Sequence, residues 1–94
     1  MARHEIRISY DIAGIPGTCA DGPMAALSFR NAAKRLVDKA LGEAGLGAWT
    51  ASDIGEGEVS CAFETDDPDR AEACAREALE GTPYEAVKGI SRRG

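Results

Sequence analysis

The stretch AWTASDIGEGEVSCAFE, Ala48 to Glu64, consists of two runs of alternating apolar and polar residues around Gly55-Glu56-Gly57. Alternation with a period of two is the pattern of a strand with one buried face, and a short glycine-bearing connection joins two such strands as a hairpin. The spacing predicts strands over 48–54 and 58–64, with Trp49, Ala51, Val59, Cys61 and Phe63 on the buried face. A hairpin pairs its strands antiparallel, so the flanking segments must be arranged around an antiparallel pair.

Working outward, both flanks are helical. Ala32, Ala33, Leu36, Val37, Ala40, Leu41 and Ala44 recur at helical spacing after Phe29, while Arg30, Lys34, Arg35, Asp38 and Lys39 occupy the other faces. Asp21 or Ser28 is the expected cap of this helix. Gly45 is expected to end it in the left-handed conformation, with Leu46 folding back. After the hairpin, Asp67-Pro68-Asp69 opens a second helix, Asp67 capping and Pro68 at the first helical position. Its stripe is Ala71, Cys74, Ala75, Ala78 and Leu79, closed by Gly81.

The outermost segments are strands again. Ile6, Ile8, Tyr10 and Ile12 alternate with Arg7, Ser9 and Asp11, and Tyr84 to Ser91 follows Thr82-Pro83 as the last strand. Strand, helix, strand, strand, helix, strand is the order of the ferredoxin-like βαββαβ sandwich, an α+β fold. Crossover handedness then predicts a four-stranded antiparallel sheet of order 4-1-3-2 with both helices on one face. Ile8, Trp49, Phe63, Leu36 and Leu79 are expected to share one interior, and Arg7, Ser9, Asp11, Thr50, Ser52, Ser60, Ala62, Tyr84, Ala86 and Lys88 to form the open sheet face.

A chain of 94 residues, 44% apolar and 29% charged, holds enough apolar material for one core, so 1–94 reads as a single folded domain. It has no apolar run long enough for a signal peptide or a membrane span, so a cytoplasmic location without membrane contact is expected. Cys19, Cys61 and Cys74 are odd in number and lack metal or redox spacing, which suits reduced thiols. Residues 1–52 carry a net charge of +1, residues 53–85 of −9 and residues 86–94 of +3. The acidic middle repels phosphate backbones, and the open face lacks aromatic side chains for base stacking, so direct nucleic-acid binding is disfavoured. Arg30, Lys34, Arg35 and Lys39 are expected to offset Glu72, Glu77 and Glu80 across the helix pair.

No nucleophile, base and stabilising donor come together in the sequence, and neither the isolated His4 nor Asp66, Asp67 and Asp69 follow a metal-ligand pattern. No cofactor, metal or catalytic set is expected. The first functional expectation is a small acidic, non-enzymatic module, inhibitor-, immunity- or antitoxin-like, binding a basic surface on a protein partner through Asp53, Glu56, Glu58, Asp66, Asp69, Glu72, Glu77 and Glu80. The second is small-anion or phosphate binding by the 14–23 loop, using Gly17, Thr18, Cys19 and Asp21 with Arg30 as the cation. Leu27-Ser28-Phe29-Arg30 resembles the Phe-Arg that opens the first helix of acylphosphatases, a resemblance implying that Arg30 holds a phosphate. It covers these residues and the element order; Trp49-Thr50-Ala51-Ser52 stands where that family carries its asparagine. The third expectation is a homodimer formed through the open sheet face.

Overall fold

The computed structural model describes residues 4–15 and 23–93. Strand β1 (His4–Asp11) runs into a 3-10 turn (Ile12–Gly14); helix α1 (Pro23–Ala44), strands β2 (Gly47–Gly55) and β3 (Glu58–Thr65), helix α2 (Pro68–Leu79) and strand β4 (Gly89–Arg93) follow. The sheet order is β2-β3-β1-β4 and every neighbouring pair is antiparallel. This is the expected ferredoxin-like arrangement.

The core lies between the sheet and the helices. Ile6, Ile8 and Tyr10 on β1 stand opposite Phe63, Cys61 and Val59 on β3, and all six are buried. From the helices Ala26, Ala33, Val37, Leu41, Ala71, Ala75 and Leu79 close on this row in one cluster. Alanines at these positions let the helices sit close to the sheet, so that the larger aliphatic side chains of sheet and helices meet in one cluster.

Local chemistry explains the helix ends. Leu46 N–H donates to Leu41 O and Gly45 N–H to Gly42 O, a Schellman closure in which Gly45 takes φ 67° and Leu46 packs onto the core. Asp67 Oδ1 accepts from Arg70 N–H at 3.2 Å, with Pro68 at the first helical position. At Gly47 a side chain is barred, since an added Cβ would lie 1.9 Å from the Glu64 carbonyl oxygen.

Several boundaries and faces depart from expectation. Helix α1 begins at Pro23, not Phe29, so Ser28 lies inside it and caps nothing, while Asp21 falls outside the described residues. A bulge between Trp49 and Ala51 changes the parity of β2, so Ser52 shares the helix-facing side with Cys61, whereas Ala51 and Asp53 lie on the opposite face with Ala62 and Ser60, which are buried there and not open as expected. Trp49 and Leu36 are not core residues: they are 40% and 36% exposed, because α1 overhangs the edge strand only partly. Val37 and Leu41 fill the place expected for Leu36.

The last strand starts five residues late. Tyr84 N–H donates to Thr82 Oγ1, Glu85 N–H to Thr82 O and Val87 N–H to Glu85 O, so residues 82–87 spend their amides locally. Pairing resumes where Lys88 N–H reaches Ser9 O at 2.7 Å. Tyr84 is drawn inward instead of joining the open face: its ring packs edge-on to Phe29 at 4.8 Å, Phe29 meets Tyr10 at 5.1 Å, and Tyr10 Oη donates to Tyr84 O at 2.7 Å. Gly89, Ser91 and Arg93 take the open-face positions of β4, opposite Ser9, Arg7 and Glu5.

Two leucines five residues apart on α1, and so on different faces of the helix, test this packing. Leu41→Ala is expected to cost about 2–5 kcal/mol in urea denaturation and Leu36→Ala less than about 1 kcal/mol, because only the first leaves a cavity.

Candidate functional site

The eight acidic residues marked in the sequence separate into three groups. Asp53, Glu56 and Glu58 lie around the hairpin tip, where Glu56 and Gly57 form a two-residue turn with φ 48° and 79°. Asp66, Asp69 and Glu72 lie at the other end of β3, which at about 3.3 Å per residue is some 25 Å away. Glu77 and Glu80 belong to the far end of α2.

Most of the first two groups is neutralised within the chain. Arg7 Nη1 donates to Asp53 Oδ2 at 2.8 Å and to Ser60 Oγ at 3.2 Å, laying the guanidinium across the open face from β1 to β2. Lys88 Nζ binds Glu58 at 2.6 Å and stands 3.7 Å from Asp11; these partners raise its pKa. Arg92 Nη1 donates to Asp69 Oδ1 at 2.5 Å and its Nε to Glu72 Oε1 at 3.1 Å, while Arg76 Nε reaches Glu72 Oε2 at 3.1 Å. Burial works to raise the Glu72 carboxyl, but the hydrogen bonds and charges of Arg92 and Arg76 together outweigh it and hold it below the usual range.

The basic face of α1 does not reach α2 as expected. Arg30 Nη1 donates to the Asp53 carbonyl at 3.1 Å and its other nitrogens to Asn31 Oδ1; Lys34 Nζ lies 4.2 Å from the centre of the Trp49 ring; Asp38 Oδ1 accepts the Trp49 backbone N–H at 2.9 Å. One stripe of the helix thus covers the free edge of β2. Trp49 Nε1 completes the cluster by donating to Ser52 Oγ at 2.9 Å.

The third acidic group is different. Glu77 and Glu80, joined by Glu85, stand around a groove of about 570 Å3 between α2 and the 85–90 stretch. Ala73, Leu79, Val87 and Ile90 give it an apolar floor, and Arg76, engaged with Glu72, forms part of the wall. Among the described residues none of the three carboxylates has a cationic partner; Glu85 accepts only the Gly81 N–H, at 2.9 Å. They gather at the C-terminal end of α2, where the helix dipole favours positive charge. Glu85 is not distinguished by the charge pattern of the sequence. It joins the group because Gly81, at φ 75°, and the turn after it bring the chain back along the helix.

The loop residues Gly17, Thr18, Cys19 and Asp21 lie outside the described residues. Arg30 is the eighth residue of α1, away from the amide-rich helix start, and its donors are committed to Asn31 and Asp53. Burial pushes the Cys61 thiol up to about 11 against the opposing charges of Arg30, Lys34 and Arg7, so it stays protonated at neutral pH. Among the described residues no helix is long and apolar enough to cross a membrane. No family model, curated protein or solved structure matches the chain.

The Glu72 cluster sets a pH dependence. A carboxyl held low in the folded state stabilises fully above its unfolded value, near 4.5, and that stabilisation is lost as pH falls through the folded value. Glu72→Gln is therefore expected to flatten the loss of stability between about pH 6 and about pH 3, measured by urea denaturation at each pH.

Proposed function

We propose that the chain is a small acidic interaction module, non-enzymatic and comparable in kind to inhibitors, immunity proteins or antitoxins, that receives a cationic segment of a protein partner in the groove between α2 and residues 85–90. The observation that supports this reading is the set Glu77, Glu80 and Glu85: three carboxylates with no cationic partner among the described residues, on the rim of an apolar groove, at the end of a helix whose dipole opposes them. The acids elsewhere are largely consumed by Arg7, Lys88, Arg92 and Arg76. Exposed charges held at the unfavourable end of a helix are available to attract a cationic partner.

Lysine and arginine suit this groove in both of their parts. Their methylene stems cover Leu79, Val87 and Ile90 while the charged ends reach the rim carboxylates. The long-range field of the acidic segment steers such a partner toward contact, so the association rate falls as salt rises.

Selection from a displayed library of random peptides provides the test. The reading predicts enrichment of lysine and arginine with loss of acidic residues, and loss of that enrichment when Glu77→Gln, Glu80→Gln and Glu85→Gln are combined. The combined variant should be no less stable than the parent in urea, since it removes like charges from the negative end of a helix. Selection without charge bias, or a bias that survives in the variant, contradicts the reading.

A further inference from the structure

The two edges of the sheet are not equivalent. On β2 the backbone N–H of Trp49 is taken by Asp38 and the carbonyl of Asp53 by Arg30, both from α1. A bulge at the same place further spoils the edge for pairing. On β4, at the opposite side, no side chain of the described residues bonds the backbone of Gly89–Arg93, and Ser91, Arg92 and Arg93 are exposed. Alternate residues of an edge strand point their N–H and C=O groups away from the sheet. β4 therefore offers an unoccupied row of donors and acceptors directly beside the acidic groove, with which it shares Ile90.

We propose that the cationic segment binds as an added strand along the outer edge of β4, extending the sheet. This rests on the groove reading above and specifies how the partner is held. In an extended chain alternate side chains point to opposite faces. Every second residue of the added strand thus faces the groove, over Leu79, Val87 and Ile90 and toward Glu77, Glu80 and Glu85. The intervening residues continue the open face, beside Ser91 and Gly89. The occupant is a segment with lysine or arginine at every second position and small or β-branched polar residues between them. Main-chain hydrogen bonds supply affinity and the groove-facing row supplies selectivity. Of the cations on this edge, Lys88 is bound by Glu58 and Arg92 by Asp69 and Glu72, while Arg93 lies at the far end of the strand on the open-face side, opposite Glu5, away from the groove-facing row.

Three kinds of synthetic peptide test this with the intact chain: four Lys-Thr repeats, a block peptide of four lysines followed by four threonines, and two Lys-Thr peptides N-methylated on one or the other alternate set of amides. The alternating peptide is expected to bind about tenfold more tightly than the block peptide. It should slow hydrogen exchange of alternate amides within residues 89–93. Methylation of one set should abolish binding, and methylation of the other should leave it intact. Equal binding of alternating and block peptides, with both methylated sets tolerated and no new protection in β4, overturns strand addition and leaves the groove reading standing. Protection of β4 by a peptide that binds the Glu77→Gln, Glu80→Gln, Glu85→Gln variant equally well supports strand addition and overturns the groove reading. Absence of binding by every peptide overturns both.

Discussion

The row Ile6, Ile8 and Tyr10 is the element on which the rest of this structure depends. It occupies the central strand β1, faces Phe63, Cys61 and Val59 across the ladder, and is closed to solvent on its helix side. A shift of one residue in register turns every side chain of a strand to the opposite face, so a row this apolar fixes one register for β1 against β3. With that pair set at the middle of the sheet, β2 and β4 become the edges. α1 then lies over β2 and β3, and α2 over β1. Tyr10 extends the constraint past the sheet, since its hydroxyl and ring hold Tyr84 and Phe29 and so position the return segment that carries Glu85.

From this arrangement follows an unequal use of charge. α1 turns Arg30, Lys34 and Asp38 onto the β2 edge, where they satisfy its backbone and cover Trp49. α2 turns Glu72 and Asp69 toward Arg92 near its start, but near its end Glu77 and Glu80 have no cationic partner among the described residues. Exposed ion pairs stabilise a fold by less than about 1 kcal/mol each, so their arrangement matters more for the field the surface presents than for folding. Among the described residues, Glu77, Glu80 and Glu85 are thereby the unpaired carboxylates of the −9 segment that gather beside an apolar groove.

Much of the architecture is legible in the sequence because the signals are local. The glycine turn between alternating runs, Asp67-Pro68 at a helix start and Gly45-Leu46 at a helix end each state a backbone requirement within a few residues. Strand order then follows from the element order and the handedness of crossovers. Features that depend on distant partners are not legible in the same way. The parity of β2 changes at a bulge that a period-two pattern does not register, and Tyr84 leaves its alternating run because Tyr10 and Phe29 hold it. The acidic residues show the same limit: composition locates Glu72 and Glu77 in one charged segment, but only the return of β4 gives Arg92 to the first and nothing to the second. The groove is formed by residues 73–80 and 85–90 together, and no single stretch of chain announces it.

The two sheet edges differ in how far their backbone groups are satisfied, and native-state hydrogen exchange of the free chain reads that difference residue by residue. Exchange is expected to be slowest in β1 and β3, the Trp49 amide to be slowed by its bond to Asp38, and alternate amides of residues 89–93 to exchange fastest within the sheet. Uniform protection along 89–93 in the free chain, with a rapidly exchanging Trp49 amide, would show that the open edge lies at β2 and that β4 is not free to take an added strand.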